Sequence, residues 1–148
     1  MPFVPRLFLK TGIVYLALTF VLGAVLLVLE ALGRPVPFVI AIEHGHMGFV
    51  GWLVNTVIGV ALWLLPLNRI AFPQEQGRYP EGLARASYVM LNVGLPLRLV
   101  VEPIFSAAPS PPARALLVLS AILQVFAILI AGSIAWRRVF PPPLRPNV

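Results

Sequence analysis

Between Lys10 and Glu30 the chain carries no charged residue, and three further stretches repeat the pattern of a long apolar run closed by charge or proline. A helix that crosses a bilayer needs about 20 mostly apolar residues, and each run is long enough. The spans are expected at residues 7–32, 37–65, 83–101 and 113–136. Gly33-Arg34-Pro35 closes the first, and Pro37 suits the first turn of the second, which ends at Leu65-Pro66. Glu102-Pro103 is expected to close the third, with Pro96 kinking it from within, and Arg137-Arg138 closes the fourth. The tail from Phe140 to Val148 is too proline-rich for helix. The first run is longer than the apolar core of a signal peptide and no small-residue cleavage site follows it, so it is expected to be retained. The reading is one all-α domain, 1–148, an integral membrane four-helix bundle that meets lipid along its length. Composition agrees: 59% of residues are hydrophobic and 11% charged, well away from soluble domains, in which about a quarter are charged.

Charge sets the orientation. If the termini share a side, that side holds Arg6, Lys10, Arg69, Arg78, Arg85, Arg137, Arg138 and Arg145, against Arg34, Arg98 and Arg114 on the other. The imbalance places both termini in the cytoplasm, in a bacterial or archaeal cytoplasmic membrane. The same distribution explains the net charge of +6 without a nucleic-acid partner, since no basic helix or recognition motif accompanies it. With no cysteine, thiolate metal sites and iron–sulfur clusters are excluded.

Ionisable groups inside a span are costly and tend to mark function. The richest segment is Glu43-His44-Gly45-His46-Met47, about 10 Å below the outer end of the second span. The two histidines are the chain's only ones. Two residues apart on a helix, they point about 200° from each other and cannot share one metal. Below His44 run Gly48, Gly51, Asn55 and Gly59, a stripe without bulk that would admit a flat ring or, equally, a close-packed helix. Below His46 run Val50, Leu53, Val57 and Val60. Imidazole is the commonest biological metal ligand, and haem iron accepts it axially, so His44 and His46 are the candidate iron ligands, with Gly48 and Gly51 as the seat of the ring. Arg98, at the same depth on the third span, would pair with haem propionates, or else reach the surface or pair with Glu43 or Glu102. Asn55, Asn92 and Gln124 are expected to bond between helices.

The segment from Ile42 to Leu99 resembles the catalytic subunit I of the haem-copper oxidases. His44-Gly45-His46, then Gly59, Trp63 and Pro66-Leu67, is similar to that family's tenth helix, and Phe72-Pro73, Gly77-Arg78-Tyr79-Pro80, Met90 and Asn92-Val93-Gly94 to the part that follows. The resemblance implies a cytochrome oxidase subunit I-like arc, with His44 in the place of the ligand to the high-spin haem and His46 in that of the low-spin haem. The family builds its subunit from three arcs of four helices. One arc lacks the histidines that hold copper, the active-site tyrosine and the second axial histidine. Copper is therefore not supported by a single chain, whereas a homo-oligomer, a trimer ahead of a dimer, would restore twelve helices and bring a second imidazole.

The expectation is a membrane protein binding haem b, acting in electron transfer with a respiratory-chain partner or in binding or reduction of a diatomic gas (O2 or NO), and so a candidate oxidoreductase. The alternatives are an accessory or assembly subunit whose histidines join helices, and a small proton-coupled transporter with Glu43, His44 and His46 as relay. The topology is checked with reporter fusions: a carboxyl-terminal reporter is expected to be active only in the cytoplasm, and activity restricted to the opposite side would reverse the orientation.

Overall fold

The structure, a computed structural model, describes residues 1–139, so the proline-rich tail and Arg145 lie outside the described residues. The helices are α1 (Phe3–Ala31), α2 (Phe38–His46), a π-helical segment (Met47–Val54), α3 (Asn55–Leu64), α4 (Glu81–Ala107) and α5 (Pro111–Val139). Since α2, the π segment and α3 form one continuous rod, there are four helices long and apolar enough to cross a membrane, of 29, 27, 27 and 29 residues. No strand occurs among the described residues.

The helix ends follow local chemistry. Gly33 takes φ +68°, its N–H donates to the Glu30 carbonyl at 2.9 Å, and the Arg34 N–H donates to that of Leu29 at 2.9 Å. This pair of bonds around a left-handed glycine is the Schellman stop, which satisfies two carbonyls that α1 leaves over. The third span does not end at Glu102-Pro103 as expected but runs on to Ala107, with Pro96 and Pro103 inside α4. The Glu102 carboxylate accepts from Arg98 Nη2 at 2.7 Å, one turn earlier, so its charge is matched on the helix itself.

Close approach between helices is set by small residues. Gly94 sits against Leu123, Gln124 and the Ser120 carbonyl, each about 3.1 Å from where a Cβ would stand. Ser87 Oγ donates to Ala127 O at 2.8 Å and Ser120 Oγ to Gly94 O at 2.9 Å, tying α4 to α5 along their length. Gln124 does not cross to another helix as expected. Its amide bonds to the Ser120 hydroxyl on its own helix at 3.1 Å, and that hydroxyl makes the crossing instead. On the opposite flank α1 packs on the π segment and α3, while Thr11 and Tyr88 share a 2.8 Å hydrogen bond and Phe8 meets the Tyr88 ring edge-on. The bundle is open: the backbones of α1 and α5 do not approach closely, and that of α5 nears α3 at few points. An apolar groove of about 410 Å³ therefore runs between the π segment and α3 on one wall and α5 on the other, past Phe49, Leu53, Val57, Ala131 and Gly132.

The end of the bundle that holds the amino terminus is locked by one side chain. Pro66 halts α3, leaving the helix's last carbonyls without partners. Arg138, 2% exposed, reaches across from α5 and donates from Nη1 to Leu62 O at 2.8 Å, from Nε to Pro66 O at 3.1 Å and from Nη2 to Leu65 O. Asn68 Nδ2 returns a bond to Arg137 O at 2.6 Å, and Asn68 Oδ1 accepts from the N–H groups of Ile70 and Ala71. Arg138 thus does more than end a span: a guanidinium completes a helix of another span. Arg138→Met keeps the length and removes all three donors, and hydrogen bonds to charged groups are worth about 1.5–3 kcal/mol each. Thermal unfolding in detergent should show a loss on the order of 4 kcal/mol or more, and an unchanged unfolding temperature would contradict this role.

Candidate functional site

The site grows from the point where α2 gives way to the π segment. A π-turn bonds each N–H to the carbonyl five residues back rather than four, so at its ends some carbonyls lose their regular donor. The backbone N–H of Asn55 bonds to Trp52 O. Its side chain, fully buried, adds two bonds there: Nδ2 donates to Gly51 O at 2.9 Å and to Val50 O at 3.3 Å. Its Oδ1 accepts from Asn92 Nδ2 at 2.9 Å, which joins the π segment to α4. Asn55 and Asn92 therefore link helices, as expected of them.

The two histidines part company. His44 Nε2 lies 3.1 Å from the carbonyl oxygen of Thr19 on α1. A carbonyl only accepts, so Nε2 carries the proton and the ring is held between α2 and α1. Gly23 makes room for it, since a Cβ there would stand 3.0 Å from Nε2. His46 Nδ1 lies 3.0 Å from Ile42 O, one turn back on its own helix. By the same reasoning Nδ1–H donates, and in the neutral ring Nε2 is left with its lone pair. A histidine oriented by an Nδ1–H bond to a backbone carbonyl, with Nε2 outermost, is the arrangement commonly found in metal-ligating imidazoles. Sequence spacing put the two rings on different faces but did not reveal which one α1 would engage. Gly23, twenty-one residues away in the sequence, was the signal.

The glycine face is occupied. A Cβ at Gly51 would lie 2.6 Å from the Tyr15 ring, at Gly48 3.2 Å from Thr19 Cγ2, and at Gly59 3.0 Å from Phe8 and Leu9. The expected seat for a ring on Gly48 and Gly51 is corrected accordingly: α1 fills that stripe, with Gly12 answering from the other side against Thr56 and the Trp52 carbonyl. The wall below His46 is also redrawn, because Val50 turns into the core with Met47 and Leu95 while Phe49, Leu53 and Val57 line the open groove.

Arg98 is placed beside carboxylates. Its Nη2 pairs with Glu102 at 2.7 Å, and its Nε approaches Glu43 Oε1 at 3.4 Å. This pairing is the alternative expected for Arg98 beside contact with propionates. Glu43 is 4% exposed, and its Oε2 has no hydrogen-bond partner among the described residues. Met47, Leu95 and Leu99 form an apolar layer beneath it. Among the described residues, no three side chains of His, Cys, Asp or Glu gather as a metal-binding group.

No protein-family model, curated protein or solved structure matches this chain.

The contrast among the glycines is testable. Gly45 faces open space whereas Gly51 is against the Tyr15 ring. Overpacking of a fitted interior costs about 1–3 kcal/mol. Gly51→Ala should lower stability by about that amount and Gly45→Ala should not lower it, measured by thermal unfolding in detergent. Equal effects would argue that the α1 contact is loose.

Proposed function

We propose that this is a membrane b-type haem protein in which His46, rather than His44, is the axial ligand that each chain contributes. The observation that carries the reading is the His46 geometry: Nδ1–H donated to Ile42 O and Nε2 left unengaged. The residues fit one face of a haem and no more. His44, the only other imidazole, is bonded to α1, so a second axial imidazole would come from a neighbouring copy. A cyclic homo-oligomer, trimeric or dimeric, is the economical source. Bound there, haem would supply an iron that changes oxidation state or takes a diatomic gas. The chain would hold the imidazole in one tautomer and surround the ring with aliphatic side chains, two of the means by which proteins tune such an iron. Electron transfer with a respiratory-chain partner, or binding and reduction of O2 or NO, are the activities that this arrangement serves.

The second reading is an accessory or assembly subunit without haem. The bond from His44 to Thr19 favours it, because that histidine is engaged in joining two helices, as are Asn55 and Asn92.

The visible spectrum separates the two. The purified wild type should show a Soret band, His46→Ala should lose it or change its ligation state, and His44→Gln should keep it while unfolding at lower temperature. A colourless wild type after expression with ample haem supports the accessory reading. A spectrum that His44→Gln abolishes and His46→Ala leaves alone would reverse the ligand assignment.

A further inference from the structure

At the end of the bundle that carries Arg138, the loop from Leu65 to Pro80 builds a rigid charged turn. Glu75, Gln76, Gly77 and Arg78 close it, with the Arg78 N–H donating to Glu75 O at 3.0 Å and the two central residues at φ +54° and +88°. Two successive positive φ values are the pattern of a type I′ turn. Gly77 is also needed for space, since a Cβ there would stand 2.9 Å from the Arg69 nitrogen. Asn68 N donates to Gly77 O and Gly77 N to Phe72 O, both at 2.8 Å, so the turn is held from within.

This turn presents a carboxylate and a guanidinium at its two ends without pairing them. Among the described residues, neither the Glu75 carboxylate nor the Arg78 side chain has a hydrogen-bond or ion-pair partner, whereas Glu81 nearby is paired with Arg85 at 3.0 Å. Two cavities meet at Arg78, Tyr79 and Pro2. One, of about 400 Å³, is polar and bordered by Glu75 and Gln76. The other, of about 260 Å³, is bordered by Leu62, Trp63 and Leu67. Burial and then the charge of Glu81 push the Tyr79 hydroxyl above its ordinary value, against smaller opposing effects of Arg138 and Arg78, which keeps it a hydrogen-bond donor. Trp63 and Leu67 are exposed beside the cavity, and an exposed tryptophan at a span's end marks the membrane interface.

We infer that the joined cavities bind the headgroup of an aminophospholipid, its phosphate on Arg78 and Tyr79, its primary ammonium on Glu75, and an acyl chain along Trp63 and Leu67. The separation of unpaired opposite charges fits a zwitterion better than a simple anion, whose only charge would meet Glu75 as well as Arg78. The exposed Trp63 and Leu67 beside them favour a lipid over a soluble zwitterion. A guanidinium matches phosphate oxygens in charge and geometry, and a primary ammonium donates hydrogen bonds to a carboxylate that a quaternary one cannot.

The test is lipid retention by the full chain in mild detergent, read by native mass spectrometry and by the shift in unfolding temperature. The probes are phosphatidylethanolamine, phosphatidylcholine, phosphatidylglycerol, and inorganic phosphate with free ethanolamine. Phosphatidylethanolamine should be held about tenfold more strongly than phosphatidylcholine, the worth of one charged hydrogen bond. Arg78→Gln should weaken all three phospholipids, and Glu75→Gln should abolish the preference for phosphatidylethanolamine over phosphatidylglycerol. Both substitutions are at side chains without protein partners, so the fold is kept. Equal retention of the three lipids would mean a generic annular contact and overturn the site, as would a wild-type preference for phosphatidylglycerol. Equal stabilisation by phosphate and ethanolamine alone would identify a soluble ligand and overturn the lipid.

Discussion

A backbone carbonyl within a bilayer has no water to bond, and an unpaired one costs several kcal/mol. This constraint organises the whole chain. Where a helix is regular it satisfies itself, and where it is not, a side chain from nearby takes over. At the end of the π segment the Asn55 amide adds a donor to the Gly51 and Val50 carbonyls. Pro66 leaves those of Leu62 and Leu65 for Arg138. The left-handed Gly33 turns the last carbonyls of α1 back on the chain. Each repair also decides an arrangement: Asn55 brings α4 in through Asn92, and Arg138 fixes the end of α5 against the end of α3.

The polar groups around His44, His46 and Arg98 divide into those consumed by the fold and those it leaves over. His44 belongs to the first kind, since its ring proton goes to Thr19. Arg98 does too, because two carboxylates flank it. His46 belongs to the second. Its tautomer is set by its own helix, and its remaining nitrogen serves no packing purpose. The functional reading follows from this residue, together with the open flank that arises because α5 stands beyond α4 and away from α1. A closed bundle would have covered the groove with protein. An open one leaves it to lipid, to a second copy, or to a flat apolar ligand.

The alternation of long apolar runs with charge and proline determined by itself that the chain is four membrane-length helices and, except at the end of the third, near which residues they turn. Those properties depend on transfer of side chains into an apolar medium and on local backbone limits, and both are written residue by residue. Even the interhelical pairing of Asn55 and Asn92 was legible, since an amide within a span must find a partner. What a glycine stripe packs against was not legible: Gly48, Gly51 and Gly59 describe space for a ring as well as for a helix, and only the placement of Tyr15, Thr19 and Phe8 on α1 resolves it. The eight-residue π segment was likewise invisible, because its apolar composition matches that of an α-helix. The roles of His44, Arg98 and Arg138 were decided by tertiary structure alone. Which carbonyl or carboxylate a long polar side chain meets depends on the register of a neighbouring helix, and no spacing within one helix encodes that register.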